Sequence, residues 1–367
     1  MAKELTYGMV GGAIGSMIGE THRNAILLDG RAKIVAGCFS RNFDKTLKTG
    51  KRWGIKKDRL YKDYIEMVEA ESTRKKKIDF VVITTTNNTH YEIAKVFLEK
   101  GINVVCDKPL TTTLKEAQEL KKLADENNLL LCVTYSYVGY PIISIAKQVV
   151  ENEEIGEIRF INVQYFQGWL AKPIEYENSQ AQWRLDPNKS GLANTTADIG
   201  SHVENMVSYV TGKEIDSLCA RLDTFVKSRQ LEDNVSVLIN YKGGATGIYC
   251  MSQIAIGENN NFGFSIYGSK GTLKWNFKEP NKLIVLFEDS TKIIEKDAQF
   301  VEDTNIGFKN TYSLFITDLI SKKNGEDINN NNCHFQSVNA GVRGMKFIEK
   351  CVESSKKGSV WVSLGGE

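Results

Sequence analysis

The sequence predicts an α/β domain with a doubly wound parallel sheet over residues 1–135 and an α+β domain over residues 136–367. Apolar strands and helices alternate from residue 5 to about residue 135, which is typical of a parallel sheet with helices on both faces. After Pro141 the pattern changes to strands with few helices between them. This change predicts an open, mostly antiparallel sheet with helices on one face. The length of 367 residues also favours two domains.

Composition narrows the classes of partner. Lysine plus arginine number 47 against 45 for aspartate plus glutamate. A net charge this close to zero does not favour binding to nucleic acid or to a membrane surface. No apolar run reaches the roughly 18 residues of a transmembrane helix, and the first residues lack the apolar core of a signal peptide. The seven cysteines are scattered without a CxxC spacing, which indicates reduced thiols. We therefore expect a cytoplasmic protein without a metal site.

The first strand, predicted over residues 5–10, leads directly into a glycine turn. Gly11, Gly12 and Gly15 precede a helix predicted to end near Leu28. Strand, glycine turn and helix in this order are the context of a dinucleotide fingerprint, in which backbone N–H groups face a pyrophosphate. Counted from Gly11, the second and third glycines of that fingerprint are replaced by Ala13 and Ser16, so an ordinary βα turn stays an alternative.

The second strand, predicted over residues 32–39, ends at Ser40-Arg41. NAD enzymes usually place a carboxylate here for the ribose hydroxyls, whereas NADP enzymes place an arginine for the 2′-phosphate. The sequence therefore favours NADP(H) over NAD(H). The alternative is an arginine that is solvated or stacked on an adenine.

Two further strand ends carry polar residues. The strand predicted over residues 79–84 is followed by a segment from Thr85 to His90 whose hydroxyl and amide groups suit ribose and phosphate, or N-cap the next helix. The strand beginning at Ile102 stops at Asp107-Lys108-Pro109, where Pro109 cannot continue a ladder. Lys108 therefore lies on a bend at the carboxyl end of a parallel strand, where such sheets bind ligands; the alternative is a surface lysine.

A capping box at Thr113 predicts the helix 114–126, and a strand follows near residues 129–134. In the second half the predicted strands are 156–165, 217–226, 234–241, 245–253, 262–267, 272–275 and 282–287. The last helix, near residues 337–354, has apolar spacing and is a candidate to pack back on the first domain.

One segment of the second half carries a cluster of functional side chains. Trp183-Arg184 is followed by Asp198 and His202, which are four residues apart and would share one face of a helix. A carboxylate beside an imidazole can orient it and select its tautomer. A structural hydrogen bond or half of a metal site are the alternatives, although no second ligand cluster follows.

Together these motifs resemble the Gfo/Idh/MocA oxidoreductases, the family of glucose–fructose oxidoreductase and inositol dehydrogenase, over essentially the whole chain. The motifs occur in the family's order: Gly11 to Gly15, Thr85 to His90, Asp107-Lys108-Pro109, Trp183-Arg184, and Asp198 with His202. The resemblance implies an N-terminal Rossmann domain that binds NAD(P). It also implies a second domain that carries the substrate pocket and builds a homo-oligomer.

Site residues are implied by the same resemblance. Lys108 and His202 would be catalytic, His202 as the acid/base with Asp198 beside it. The implied cofactor contacts are Gly11, Gly12, Ala13, Ile14, Gly15, Ser40, Arg41, Thr85, Asn87, His90, Asp107, Lys108, Trp183 and Arg184. The implied substrate contacts are Lys108, Tyr135, Trp183, Asp198 and His202.

Three residues depart from the family pattern. Asp107 replaces the usual glutamate, which is a conservative change. Ala13 adds a methyl group where the backbone approaches the pyrophosphate, and Asn205 stands where many members have aspartate. The Ala13 methyl alters the contact to the cofactor, and Asn205 alters the contacts to substrate.

The resemblance implies hydride transfer between a nicotinamide and a secondary alcohol of a sugar, glycoside or inositol. Two alternatives remain open. Bound NAD could be recycled internally during elimination or glycoside cleavage, without net reduction of added NAD(P). A non-catalytic, cofactor-sensing regulatory protein is the other, although retention of Lys108, Asp198 and His202 favours an enzyme.

Overall fold

A computed structural model describes residues 4–296 and 305–365, and residues 1–3, 297–304 and 366–367 lie outside the described residues. The chain divides into two compact units. The first contains the described residues of 1–136 and 303–343, and the second those of 137–302 and 344–367. The sequence prediction differs because it assigns residues 303–343 to the second domain.

Strands and helices alternate through the first part of the chain. They are β1 (Leu5–Gly11), α1 (Met17–Asp29), β2 (Ala32–Cys38), α2 (Phe43–Arg52), α3 (Tyr64–Thr73), β3 (Phe80–Thr84), α4 (His90–Glu99), β4 (Asn103–Cys106), α5 (Leu114–Glu126) and β5 (Leu131–Val133). The capping box of α5 is confirmed: the Thr113 hydroxyl accepts the Glu116 N–H, and the Glu116 carboxylate accepts the Thr113 N–H.

The remaining elements are mostly strands until the last helices. They are α6 (Pro141–Glu151), β6 (Ile158–Phe166), α7 (Ser179–Arg184), α8 (Pro187–Ser190), α9 (Ser201–Thr211), β7 (Ile215–Asp223), β8 (Asn234–Tyr241), β9 (Thr246–Ser252), β10 (Asn261–Gly268), β11 (Thr272–Asn276), β12 (Lys282–Leu286), β13 (Thr291–Glu295), α10 (Asn305–Lys323), α11 (Val338–Lys356) and β14 (Val362–Ser363). The sequence-based prediction of these strands is confirmed to within a few residues, apart from β13 and β14, which the sequence did not indicate.

The sheet of the first unit is parallel, with strand order β2-β1-β3-β4-β5 among the described residues. Gly11 pairs with Thr84, and Cys106 pairs with Ile83 and Val133. The carboxyl ends of these strands therefore lie along one edge. The chain adds β2 on one side of β1 and β3 on the other, which creates a switch point where α/β sheets bind ligands. The predicted Rossmann-type sheet is confirmed.

Helix α10 joins the first unit through side chains that the sequence does not mark as one apolar stripe. Phe315 packs edge-on against Phe80 of β3, with ring centroids 5.2 Å apart. The buried side includes Asp318, 1% exposed, whose carboxylate accepts the His334 N–H. Leu314 instead is 39% exposed. A polar residue on the inner side and an apolar one on the outer side remove the periodic signal by which amphipathic helices are predicted.

The sheet of the second unit has the order β13-β12-β11-β10-β6-β9-β8-β7-β14 in the part of the chain that the structure describes. Its pairs are antiparallel apart from β6 with β9. Strand β6 alternates as predicted: Ile161, Val163 and Tyr165 are buried, whereas Asn162 between them is exposed. Helices α6 and α9 pack on this sheet, and the predicted mostly antiparallel architecture is confirmed.

Within the described residues, no helix has both the length and the apolar character needed to cross a bilayer. The same residues contain no group of three or more His, Cys, Asp or Glu side chains arranged to hold a metal ion. All seven cysteines lie in the described ranges, and each is a free thiol.

Candidate active site

The turn between β1 and α1 is built from glycine backbone. Gly11, Gly12 and Gly15 have φ values of +84°, +72° and +84°, a region that L side chains rarely adopt. A Cβ on Gly19 would lie 2.3 Å from the Cα of Gly12, so α1 crosses closely over the end of β1 because both residues lack side chains. A Cβ on Gly15 would meet nothing within 4 Å. The first turn of α1 therefore begins at an open position, which suits a phosphate group.

Ala13 and Ile14 lie between these glycines, and each contacts the body of the first unit. The Ala13 methyl is 5% exposed and belongs to the hydrophobic core of the first unit. Its methyl group therefore packs inside rather than on the open side of the turn. The Ile14 N–H donates to the Thr49 hydroxyl over 3.2 Å, so α2 engages this donor.

Ser40 and Arg41 lie between the end of β2 and the start of α2. The Ser40 N–H donates to the Thr46 hydroxyl at 3.1 Å, and its own hydroxyl accepts the Asn42 N–H. Asn42 in turn caps α2 by accepting the Lys45 N–H. These bonds hold the backbone of the loop, while the Arg41 side chain is exposed.

The segment after β3 is anchored by a buried histidine. His90 is 1% exposed, and its Nδ1 lies 3.0 Å from the Pro109 carbonyl oxygen while its Nε2 lies 3.1 Å from the Thr85 carbonyl oxygen. Both ring nitrogens thus contact backbone of neighbouring strand ends. His90 joins the Thr85 turn to the bend that follows Lys108, and Asn87 is buried in the same turn.

Lys108 follows β4 on a bend that Asp107 stabilises. One Asp107 oxygen, Oδ1, accepts the Lys108 N–H at 2.8 Å and the Thr134 hydroxyl at 2.9 Å. The other, Oδ2, lies 3.9 Å from Nε2 of His22, whose Nδ1 is 2.6 Å from the Tyr312 hydroxyl. Complete burial lowers the pKa of His22, and the Asp107 charge opposes this shift. A buried network therefore holds the backbone of Lys108.

Tyr135 lies two residues after the end of β5 at the same sheet edge. Its side chain is 1% exposed, and its N–H donates to the Val133 carbonyl. The strand register thus brings the glycine turn, Ser40-Arg41, the Thr85 turn, Lys108 and Tyr135 to one edge of the parallel sheet.

Asp198 and His202 lie on one continuous helical segment of the second unit. It begins as a π turn over residues 196–200 and continues as α9. A π turn holds more residues than an α turn, and such turns are frequent at functional sites. The predicted helical placement of both residues is present, but the spacing of four residues spans a change of helix type.

The Asp198 carboxylate contacts residues from two other elements. Its Oδ2 accepts the Gln253 Nε2–H at 2.9 Å and lies 3.5 Å from Nε of Arg184. The Arg184 guanidinium stacks over the Trp183 ring at 4.3 Å and lies 6.0 Å from the Trp169 ring centroid. The structure therefore brings Trp183, Arg184 and Asp198 together.

His202 is 8% exposed and packs against an aromatic cluster. The Tyr137 ring lies perpendicular to the imidazole, with centroids 4.8 Å apart. The hydroxyls of Tyr137 and Tyr165 are 2.6 Å apart. Burial raises the pKa of both phenols, and the Asp198 charge raises them further. Both tyrosines are therefore neutral hydrogen-bonding groups at neutral pH.

Glu232 supports the start of this helical segment. Its carboxylate accepts the Asn194 N–H and the Thr196 N–H and hydroxyl, at distances of 2.8–3.1 Å. Complete burial raises the pKa of Glu232, while these hydrogen bonds lower it. A carboxylate at the amino-terminal end of a helical segment is favourable because that end carries partial positive charge.

Comparison with known proteins identifies the family. A model of an oxidoreductase family with an NAD-binding Rossmann fold matches residues 5–135, and a model of the GFO/IDH/MocA C-terminal domain matches residues 143–274. An uncharacterized oxidoreductase of Bacillus subtilis (strain 168), YfiI, is 33% identical over 99% of this chain and 98% of its own. The chain belongs to the Gfo/Idh/MocA oxidoreductase family.

Two further relatives carry small-molecule names. The crystal structure of an inositol dehydrogenase homolog from Azotobacter vinelandii, complexed with NADH and myo-inositol, superposes with a TM-score of 0.92. It is 30% identical and covers 99% of this chain and 98% of that chain. Levoglucosan dehydrogenase of Pseudarthrobacter phenanthrenivorans (strain DSM 18606 / JCM 16027 / LMG 23796 / Sphe3) is 29% identical over 57% of this chain and 58% of its own. As a Gfo/Idh/MocA member, the chain is an NAD-binding oxidoreductase.

Sequence reasoning noted that Gly19 keeps the turn small, and the structure packs Gly19 against Gly12. It missed three residues that support these sites. His22 contacts Asp107, and Gln253 and Glu232 hold the Asp198 segment. All three lie far along the chain from their partners, and no local pattern marks them.

Proposed function

We propose that this protein transfers hydride between NAD(P) and a secondary alcohol or ketone of a sugar, glycoside or inositol. One observation carries the proposal. Asp198, on the same helical segment as His202, has its carboxylate held by Arg184 and Gln253 from other elements. The myo-inositol and levoglucosan named for two relatives support polyhydroxylated rings as the substrate class.

The glycine turn fits a nicotinamide dinucleotide. Gly11, Gly12 and Gly15 adopt positive φ in the turn after β1, and Gly15 leaves an open position just before α1 begins. The turn would hold the pyrophosphate, as in dinucleotide-binding folds. NAD(P), when bound, supplies the hydride acceptor or donor at C4 of its nicotinamide.

The protein would supply proton transfer and charge stabilisation. Oxidation of an alcohol releases the hydroxyl proton to a base, and we assign His202 to this role. The alkoxide that develops needs a nearby cation, and we assign Lys108 to it. Asp198 would orient His202 and accept a substrate hydroxyl, while Trp183 would cover a ring face.

The test is a screen of the purified protein with NAD and NADP against inositols, hexoses, pentoses and glycosides. Absorbance of the reduced nicotinamide measures turnover. We expect at least one cyclic polyol to support net reduction, and a His202→Asn variant to abolish it. Product formed from a glycoside without net NAD(P) reduction would instead favour internal recycling. Cofactor binding without turnover of any polyol would favour the regulatory alternative.

We further propose that the cofactor is NADP(H) in preference to NAD(H), because Arg41 is exposed beside the end of β2. Replacing Arg41 by alanine should weaken NADPH binding about tenfold and leave NADH binding unchanged, since a charge-assisted contact to the 2′-phosphate is lost. Fluorescence titration with both reduced cofactors measures the two affinities.

Arg52→Ala is the matched control, because this exposed arginine lies at the carboxyl end of α2, whereas Arg41 precedes the start of that helix. It should leave both affinities unchanged. Equal affinity of the wild-type protein for NADPH and NADH would refute the proposed preference.

A further inference from the structure

Gln253 is a fully buried amide at the end of β9, and both ends of its side chain are hydrogen-bonded. Its Oε1 accepts the Asn194 Nδ2–H at 2.9 Å and the Thr195 hydroxyl at 3.1 Å. Its Nε2 donates to Gln167 Oε1 at 3.1 Å and to Asp198 Oδ2 at 2.9 Å. The side chain is 0% exposed, so no exchange with solvent replaces these four bonds.

Donor-only groups determine which way the two amides point. The Trp169 indole N–H, which can only donate, contacts Gln167 at 2.9 Å and therefore identifies that atom as Oε1. Gln253 must then present its NH2 group to Gln167. The same NH2 group carries its second hydrogen towards Asp198, which must accept it. A donated hydrogen bond together with the Arg184 guanidinium 3.5 Å away favours the ionised form of the Asp198 carboxylate.

The chain of hydrogen bonds continues to the ring that packs on His202. The Gln167 Nε2–H donates to Asn260 Oδ1 at 2.6 Å, and the same oxygen accepts the Tyr165 hydroxyl at 3.1 Å. The Tyr165 hydroxyl contacts the Tyr137 hydroxyl, and the Tyr137 ring packs perpendicular to the His202 imidazole. Gln253 therefore lies on a continuous path between Asp198 and the surroundings of His202.

We propose that Gln253 is a positioning residue that holds Asp198 ionised and in one orientation for the reaction of His202. Its catalytic consequence rests on the proposed function, whereas its effect on Asp198 does not. The amide is suited to this role because it donates to a carboxylate without carrying charge. A carboxylate at the same position would present an acceptor to Asp198 and to Gln167 Oε1.

Gln253→Glu is the sharpest test, because the two side chains have nearly the same shape. One oxygen of the glutamate can still accept from Asn194 and Thr195, but the other needs a proton to satisfy Asp198. The folded-state pKa of the new carboxyl should therefore be raised. Two acidic residues contact Gln253 directly: Asp198 through its carboxylate and Asp233 through its backbone carbonyl. The other charged and titratable groups are linked to it through one or more residues and are Arg184, Arg229, Glu232, Tyr165, Tyr137 and His202.

A raised pKa in the folded state makes the variant lose stability as pH rises. Below the unfolded-state pKa of glutamate, near 4.3, the carboxyl is protonated in both states, and the stability deficit is limited to the lost hydrogen bond to Gln167 Oε1. Above it the unfolded state ionises first, and the stability deficit grows until the folded-state pKa is passed. We expect the difference in melting temperature from wild type to widen between about pH 5 and about pH 8.

Activity supplies the second readout. At neutral pH kcat/KM of Gln253→Glu should fall by about 10- to 100-fold, the effect of losing one hydrogen bond to a charged group. It should partly recover at lower pH, where the new carboxyl is protonated and can donate. Gln253→Met should show a comparable loss without recovery, because it has no proton to regain.

Gln164→Glu is the matched control, because this half-buried glutamine on β6 bonds Asn261 and no catalytic candidate. It should show neither the pH-dependent stability deficit nor the activity loss. A melting-temperature difference for Gln253→Glu that is constant with pH would overturn the proposal. If wild type turns over no polyol, the proposed function fails, but the melting series still decides the interaction with Asp198: its pH-dependent deficit should shrink when Gln253→Glu is combined with Asp198→Asn, and an unchanged deficit would leave burial alone as its cause.

Discussion

Replacing His202 by asparagine is expected to lower kcat for polyol oxidation by about 10²- to 10⁴-fold, the usual contribution of a positioned general base. Asparagine keeps a polar side chain of similar size but cannot take up the hydroxyl proton at neutral pH. The imidazole is 8% exposed and packs edge-on against Tyr137, so we expect a small change in its surroundings. Steady-state kinetics with the substrate found in the screen measure the effect.

His334→Asn is the matched control. This imidazole contacts Asp318, and 69% of its side chain is exposed, so its replacement should leave kcat within about twofold of wild type. NADH titration of both variants checks that the cofactor still binds. His202→Asn activity above one tenth of wild type would contradict the assignment of His202 as the base.

Replacing Lys108 by methionine is expected to lower kcat by about 10²- to 10³-fold, as for removal of one group that stabilises transition-state charge. Methionine retains an unbranched chain but removes the cation beside the developing alkoxide. The bend itself should survive, because Asp107 accepts the backbone N–H of Lys108 and the Thr134 hydroxyl. Kinetics should therefore show a fall in kcat in a folded protein, with an unchanged melting temperature.

Two comparisons make this result specific. Lys115→Met, on the exposed surface of α5, should retain wild-type activity. Lys108→Arg should restore little, because a planar guanidinium does not replace a compact ammonium at one position. If Lys108→Met keeps full activity, the cation must come from another residue. If the wild-type protein turns over no polyol and the Lys108→Met variant keeps its biological activity, the regulatory alternative gains support.

Local sequence patterns predicted the parts of the fold that are determined by neighbouring residues. Thr113 and Glu116 form the capping box that starts α5, because both partners lie within one helical turn. The alternation of Ile161, Val163 and Tyr165 predicted a strand with one buried face. These interactions need no information from distant parts of the chain.

Other features depend on contacts that sequence spacing does not reveal. Asp318 is buried in α10 because His334 supplies its hydrogen bonds. A charged residue on the buried face breaks the apolar periodicity from which the helix would be predicted. The role of Ala13 also depends on packing: its methyl lies in the core, whereas the close approach is made by Gly12 and Gly19. The π turn at Asp198 begins where Glu232, over thirty positions later, accepts the Asn194 and Thr196 N–H groups.

The sequence by itself determined the two architectures, the order of the chemical motifs and the sheet edge at which Lys108 lies. These follow from periodicity and from turn residues, which act over a few positions. Only the tertiary structure decided which groups surround the Asp198 carboxylate. Its partners Arg184 and Gln253 come from separate elements, and the direction of each hydrogen bond is set by burial and by donors such as Trp169 that meet only after the chain has folded.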